Sequence, residues 1–158
     1  MTLYVSTRSA SAPVGFRDAL LGGLAPDGGL YVPQAWPRLG APAITAFDPA
    51  SFPRITAQTL APLTAPWIDA ADLQTVARAA FGGFAQPDVV APLRKLSDDL
   101  YILELFHGPT LAFKDVAMQL LAPLFSRALA ETGEEITLVA ATSGDTGGAA
   151  VAAFAGAP

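Results

Sequence analysis

The run HGPTLAFKDV, His107 to Val116, puts a lysine amine where helix chemistry can make it reactive. From Leu111 to Glu131, Phe113, Val116, Leu120, Leu124 and Ala128 recur at helical spacing and make one apolar face. Pro109 and Thr110 lie just ahead of it, where helix-start residues belong. Lys114 then falls in the first turn of the predicted helix, where the dipole is positive and a purely structural cation is disfavoured. The same setting, with partial burial, favours an uncharged, nucleophilic amine over a structural cation. Lysine is also scarce. Of nine basic residues only Lys95 and Lys114 are lysines, so arginine serves as the general surface cation.

A second stretch, ITLVAATSGDTGGAAVAAF, reads as strand, turn and helix. Ser143, Thr146 and the backbone N–H groups of Gly144 to Gly148 gather at a helix start. There, unpaired donors and the positive dipole end point the same way and suit an anion, either a phosphate or a carboxylate. The glycines would let backbone approach it closely. The spelling is not that of a P-loop, because no lysine follows the glycines. It is not a dinucleotide fingerprint either, because Gly144, Gly147 and Gly148 have the wrong spacing. The plain alternative is a tight turn with Ser143 or Asp145 as N-cap.

Composition narrows the field. The chain has 158 residues, 52% of them hydrophobic and 15% charged, which describes a globular protein. A net charge of -5 disfavours nucleic-acid and anionic-membrane partners. With no cysteine there is no disulfide, thiolate zinc site or cysteine nucleophile. The single histidine, His107, rules out a multi-histidine metal site within one chain. No signal-peptide core and no membrane-length apolar run occur, so a cytoplasmic location is the expectation.

The elements that must position these residues fall into two regions. Residues 1–87 read as a mostly helical N-terminal region. It has a short strand at 2–6, a short helix around Phe16, Ala19 and Leu20, and an extended LYVP after the PDGG turn. Loop is expected at 35–50, then helices near 50–62 and 69–82, the second capped by Asp69. Residues 88–158 read as the opening of an α/β domain. DVVAPLRKL and LYILELF form strands joined by a turn at Asp98 and Asp99, and the Lys114 helix ends at TGEE. A buried parallel strand is expected at 136–141, a turn at 142–148 and an all-round apolar helix from Gly148 to Ala155. A strand, glycine turn and helix open a βαβ unit, but no further strand follows. The expectation is a truncated front part of a longer protein, with exposed apolar surface and self-association.

Together HGPTLAFKDVAMQLL and ATSGDTGGAA resemble the threonine synthase family, and so does the N-terminal YVSTR…FRDALLGGLAPDGGLYVP. The resemblance runs from about residue 4 to the end. It implies the tryptophan synthase β-like fold, fold type II, and pyridoxal 5'-phosphate (PLP) as cofactor. It further implies conversion of O-phosphohomoserine and water to threonine and phosphate. By position, Lys114 resembles the lysine that carries PLP. Phe113 is placed with it at the cofactor; neither Phe113 nor Asp115 receives a separate chemical role. Ser143, Gly144, Asp145, Thr146 and Gly147 resemble the loop that holds the substrate α-carboxylate. Whole members of the family are far longer and carry their cofactor-phosphate loop and pyridine-nitrogen partner later in the chain. The resemblance therefore implies a fragment with little activity alone. The alternatives are another fold type II lyase and a non-catalytic binding or regulatory module.

Of the remaining residues, His107 could meet a cofactor or substrate phosphate, and is read instead as a loop anchor bonded to backbone. Ser143 and Asp145 sit too close together on one turn to form a triad across its ring. Lys95 reads as a strand-edge cation, and Glu131, Glu134 and Glu135 as a solvated helix end.

Overall fold

A computed structural model describes residues 2–156. Two compact units emerge. The first comprises the chain up to Phe47 together with Arg54–Gln74, and the second Asp48–Pro53 together with Thr75 onward.

In the first unit, β1 (Tyr4–Ser6) pairs antiparallel with β2 (Tyr31–Pro33), Val5 opposite Val32. Helix α1 (Phe16–Gly22) lies between them in sequence and stops at Gly23, whose φ of 63° suits glycine. Tyr4 is buried. Its ring meets Phe16 edge-on at 5.8 Å, and its hydroxyl donates to the Leu63 carbonyl at 3.0 Å. Trp67 stacks on Phe16 at 5.7 Å. The expected loop at 35–50 holds one short helix, α2 (Ala41–Thr45), started by Gly40 and an early proline. Proline is tolerated in a first turn, where its missing N–H has no acceptor anyway, and five residues leave little periodicity to read.

Helices α3 (Phe52–Thr64) and α4 (Ala70–Phe81) contribute residues to both units. As expected, Asp69 caps α4, taking the Asp72 N–H on its carboxylate at 2.8 Å. The second unit is built on Phe81, 1% exposed, which meets Phe52 at 5.2 Å and Phe84 at 5.5 Å, both edge-on. Strands β3 (Leu93–Ser97) and β4 (Leu100–Leu103) form the hairpin, turning at Asp98 and Asp99. Lys95, on β3, pairs with Asp98 at 3.0 Å.

Helix α5 runs Asp115–Thr132, and α6 runs Asp145–Phe154 and packs against it, with Phe125 and Phe154 in edge contact. Leu120, Leu124 and Ala128 make the buried face of α5. Gly133 closes the helix in the left-handed conformation, its N–H on the Leu129 carbonyl at 2.8 Å.

Three sequence expectations need correction here. Helix α5 begins at Asp115 rather than Leu111, so Lys114 is the N-cap and Phe113 lies outside the helix, 60% exposed. Helix α6 begins at Asp145 rather than Gly148, because the chain breaks at Gly144, where φ is 143°. Residues 136–141 form no strand. Among the described residues no strand lies beside them, and a strand exists only through the ladder bonds of a partner. Val139 is consequently 91% exposed.

Candidate functional site

The two motifs meet. The Lys114 amine donates to the Thr146 hydroxyl, joining the N-cap of α5 to the first turn of α6. Lys114 and Thr146 are both half-buried. The Phe113 ring centroid lies 5.6 Å from the same amine. Ser143, Gly144 and Asp145 are exposed beside them, and Gly147 is half-buried. A Cβ on Gly144 or Gly148 would meet nothing within 4 Å, so the glycine turn faces open space. The first-turn amides of Asp145 and Thr146 have no helical carbonyl upstream to accept them. Amine, hydroxyl and free amides thus converge with the positive end of α6. That set can receive an aldehyde on the lysine and an anion on the turn.

Thr142, which sequence reasoning passed over, shapes the turn. Its Oγ1 accepts the Gly144 N–H at 2.9 Å and the Gly147 N–H at 3.1 Å. The capping oxygen therefore comes from two residues before the N-cap, in place of Ser143 or Asp145. The signal was a threonine heading a glycine turn, a residue type that bonds nearby backbone readily.

Asp115 was also missed as a structural centre. Fully buried, it accepts the Thr110 N–H at 2.8 Å and the Thr110 hydroxyl at 2.7 Å. An acid in a helix first turn is common, and nothing in the spacing announced that it would turn back five residues.

His107 anchors its loop through different partners from those expected. Its carbonyl accepts the Ala85 N–H at 3.0 Å, while the ring Nε2 meets the Glu104 carboxylate at 2.8 Å. Arg94 Nε lies 3.5 Å from the same carboxylate. The His107 bond and then the Arg94 charge hold the Glu104 carboxyl below its ordinary range, against some desolvation. A separate groove of about 590 Å³ runs along Phe125, Leu129, Ile136, Leu138 and Phe154 and includes neither Lys114 nor Thr146. No cluster of potential metal ligands occurs among the described residues. Nor, among them, is any helix long and apolar enough to cross a membrane.

Fold and site together define a class: a mixed α/β chain that sets a lysine amine against a glycine-rich helix start. The family model described as threonine synthase N terminus matches residues 3–81. Threonine synthase from Pseudomonas aeruginosa is 45% identical over 148 residues, 94% of this chain and 31% of that protein. Threonine synthase from Methylobacillus glycogenes is 45% identical over 161 residues, covering 97% of this chain and 34% of its own. The crystal structure of PLP-bound threonine synthase from Brucella melitensis superposes with a TM-score of 0.94 at 51% identity. It covers all of this chain and 34% of the other. The chain belongs to the threonine synthase family. It spans about a third of the length of the relatives it matches.

Proposed function

We propose that this chain supplies the cofactor lysine and the substrate-carboxylate turn of a threonine synthase, converting O-phosphohomoserine and water to threonine and phosphate. The observation that carries the reading is the Lys114 amine seated on Thr146, inside the Ser143–Gly147 turn. Residues 88–158 are then the opening of a fold type II catalytic domain, and residues 1–87 its N-terminal region. A cytoplasmic location, and self-association through exposed apolar residues such as Val139 and Leu138, go with this reading.

The residues fit pyridoxal 5'-phosphate. A half-buried primary amine stands beside an open, donor-rich turn, as an aldehyde cofactor with an amino-acid substrate requires. Lys114 would hold the cofactor covalently, with Phe113 at its side. When bound, PLP draws electron density from the substrate carbons. The first-turn amides of α6, with Ser143 and Thr146, would hold the substrate α-carboxylate at the positive helix end. Lys114 Nζ would also remove and return protons at the substrate carbons. Its bond to the neutral Thr146 hydroxyl leaves it free of a carboxylate partner there.

Phosphate release from O-phosphohomoserine tests the proposal, with this chain alone and with the rest of a relative's chain supplied in trans. The expected result is release only on complementation, abolished by Lys114→Ala. Release by the Lys114→Ala variant at the wild-type rate would sink the lysine's role. A second reading, a non-catalytic binding module, draws on the chain's spanning only a third of its relatives. It predicts no release in either arrangement.

A further inference from the structure

The carboxylate next to the lysine in sequence is buried and bonded to Thr110. Asp115 is 0% exposed, and its two oxygens take the two donors of Thr110, N–H on Oδ2 and O–H on Oδ1. Burying a carboxylate is unfavourable unless its oxygens are hydrogen-bonded, and here the bonds run backwards, from helix start to preceding loop. They are not an ordinary helix cap, since the N-cap side chain makes no cap bond.

Two further residues are fitted to this bridge. Gly108 is buried, and a Cβ there would lie 2.5 Å from the Asp115 Cβ and Oδ2, so only glycine lets the chain pass the carboxylate. Leu111 has a φ of 60°, a left-handed conformation that residues with a Cβ seldom take. Its side chain is 71% exposed, so apolar packing does not hold it there. The bridge on one side, and the Asp115 N–H bond to the Ala112 carbonyl on the other, close the turn around it.

We propose that Asp115 is a positioning residue for Lys114. By binding both donors of Thr110 it closes residues 108–115 into one rigid turn that aims the lysine amine at Thr146. With both oxygens occupied by Thr110, the carboxylate holds the lysine's backbone without becoming the hydrogen-bond partner of its amine. The inference rests on Lys114 being the cofactor lysine.

The test is reductive trapping with PLP and borohydride of the 158-residue chain complemented in trans by the rest of a relative's chain, read by peptide mass as the ratio of label on Lys114 to label on Lys95. Lys95, on an exposed strand with Asp98, is the internal reference. The wild type should label Lys114 preferentially. Asp115→Asn and Thr110→Val should each lower the ratio about tenfold, the scale of one lost charge-assisted hydrogen bond. Thr110→Ser, which keeps both donors, should keep the wild-type ratio. Far-UV circular dichroism should match the wild type throughout. Should Asp115→Asn fail to fold, Thr110→Val removes the hydroxyl half of the bridge and leaves the carboxylate and the backbone N–H bond in place. A selective wild type whose ratio survives both Asp115→Asn and Thr110→Val overturns the positioning role alone. Equal labelling of the two lysines in the wild type overturns the cofactor-lysine reading and the positioning role with it.

Discussion

The Ser6 hydroxyl donates to the Asp27 carboxylate at 2.6 Å, fastening β1 to the turn that precedes β2. The same carboxylate accepts the Ala10 and Gly29 N–H groups, both at 3.0 Å. The Ser6 bond, followed by these amides and Ser11, holds its pKa below the ordinary value of 3.8 against some desolvation. Because the folded chain keeps this carboxylate ionised more strongly than the unfolded chain does, its contribution is complete above pH 3.8. It is lost as pH falls from there through the folded value. Thermal stability of the wild type should fall as pH drops below 3.8, whereas Asp27→Asn should start weaker and lose less over the same fall. Equal losses in the two proteins would count against the Asp27 cluster.

Glycine substitutions should separate close approach from open space. A Cβ on Gly29 would collide with Ser6 Oγ and lie 3.1 Å from Asp27 Oδ1. Gly29→Ala should destabilise by about 1–3 kcal/mol in denaturant unfolding. Gly148, inside α6, meets nothing within 4 Å, so Gly148→Ala should stabilise by about 0.5–1 kcal/mol through helix propensity. A reversal of these signs would contradict the placement of both glycines.

Phe81 carries the aromatic core of the second unit, between Phe52 and Phe84. Truncation to alanine should cost about 3–5 kcal/mol, measured by urea unfolding. A cost under about 1 kcal/mol would mean that this site is not packed as described.

Thr142 supplies the oxygen that two amides of the glycine turn share. Thr142→Val keeps the shape and removes the acceptor, and should cost about 1–2 kcal/mol of stability. Thr142→Ser should recover most of it. If valine and serine behave alike in unfolding, the hydroxyl does not cap the turn.

Where the governing interactions are local, the fold was legible in the sequence. Asp69 announced the start of α4, Gly22-Gly23 the end of α1 and TGEE the end of α5. Asp98-Asp99 marked the hairpin turn, since a two-residue turn between apolar runs depends on few neighbours. Residues 136–141 read as a strand because their apolar run is that of one, yet a strand needs a partner that no periodicity supplies. At the site, Lys114 and Thr146 could be named from their motifs, and the bond between them required the packing of α5 and α6. The bridge from Asp115 to Thr110 was invisible for a related reason. A first-turn acid looks the same in sequence whether it faces solvent or folds back under its own helix.

The β3–β4 hairpin, exposed along both strands, implies an order of opening. Two strands without a third are marginal in water. This pair leans on a few ties at its open end, such as the Glu104 N–H on the Pro92 carbonyl and the Arg94–Glu104 contact. Its amides should therefore trade hydrogen for deuterium well before those of the buried stretch from Leu120 to Ala128 in α5. In the time dimension the hairpin lets go well before the helix that follows Lys114.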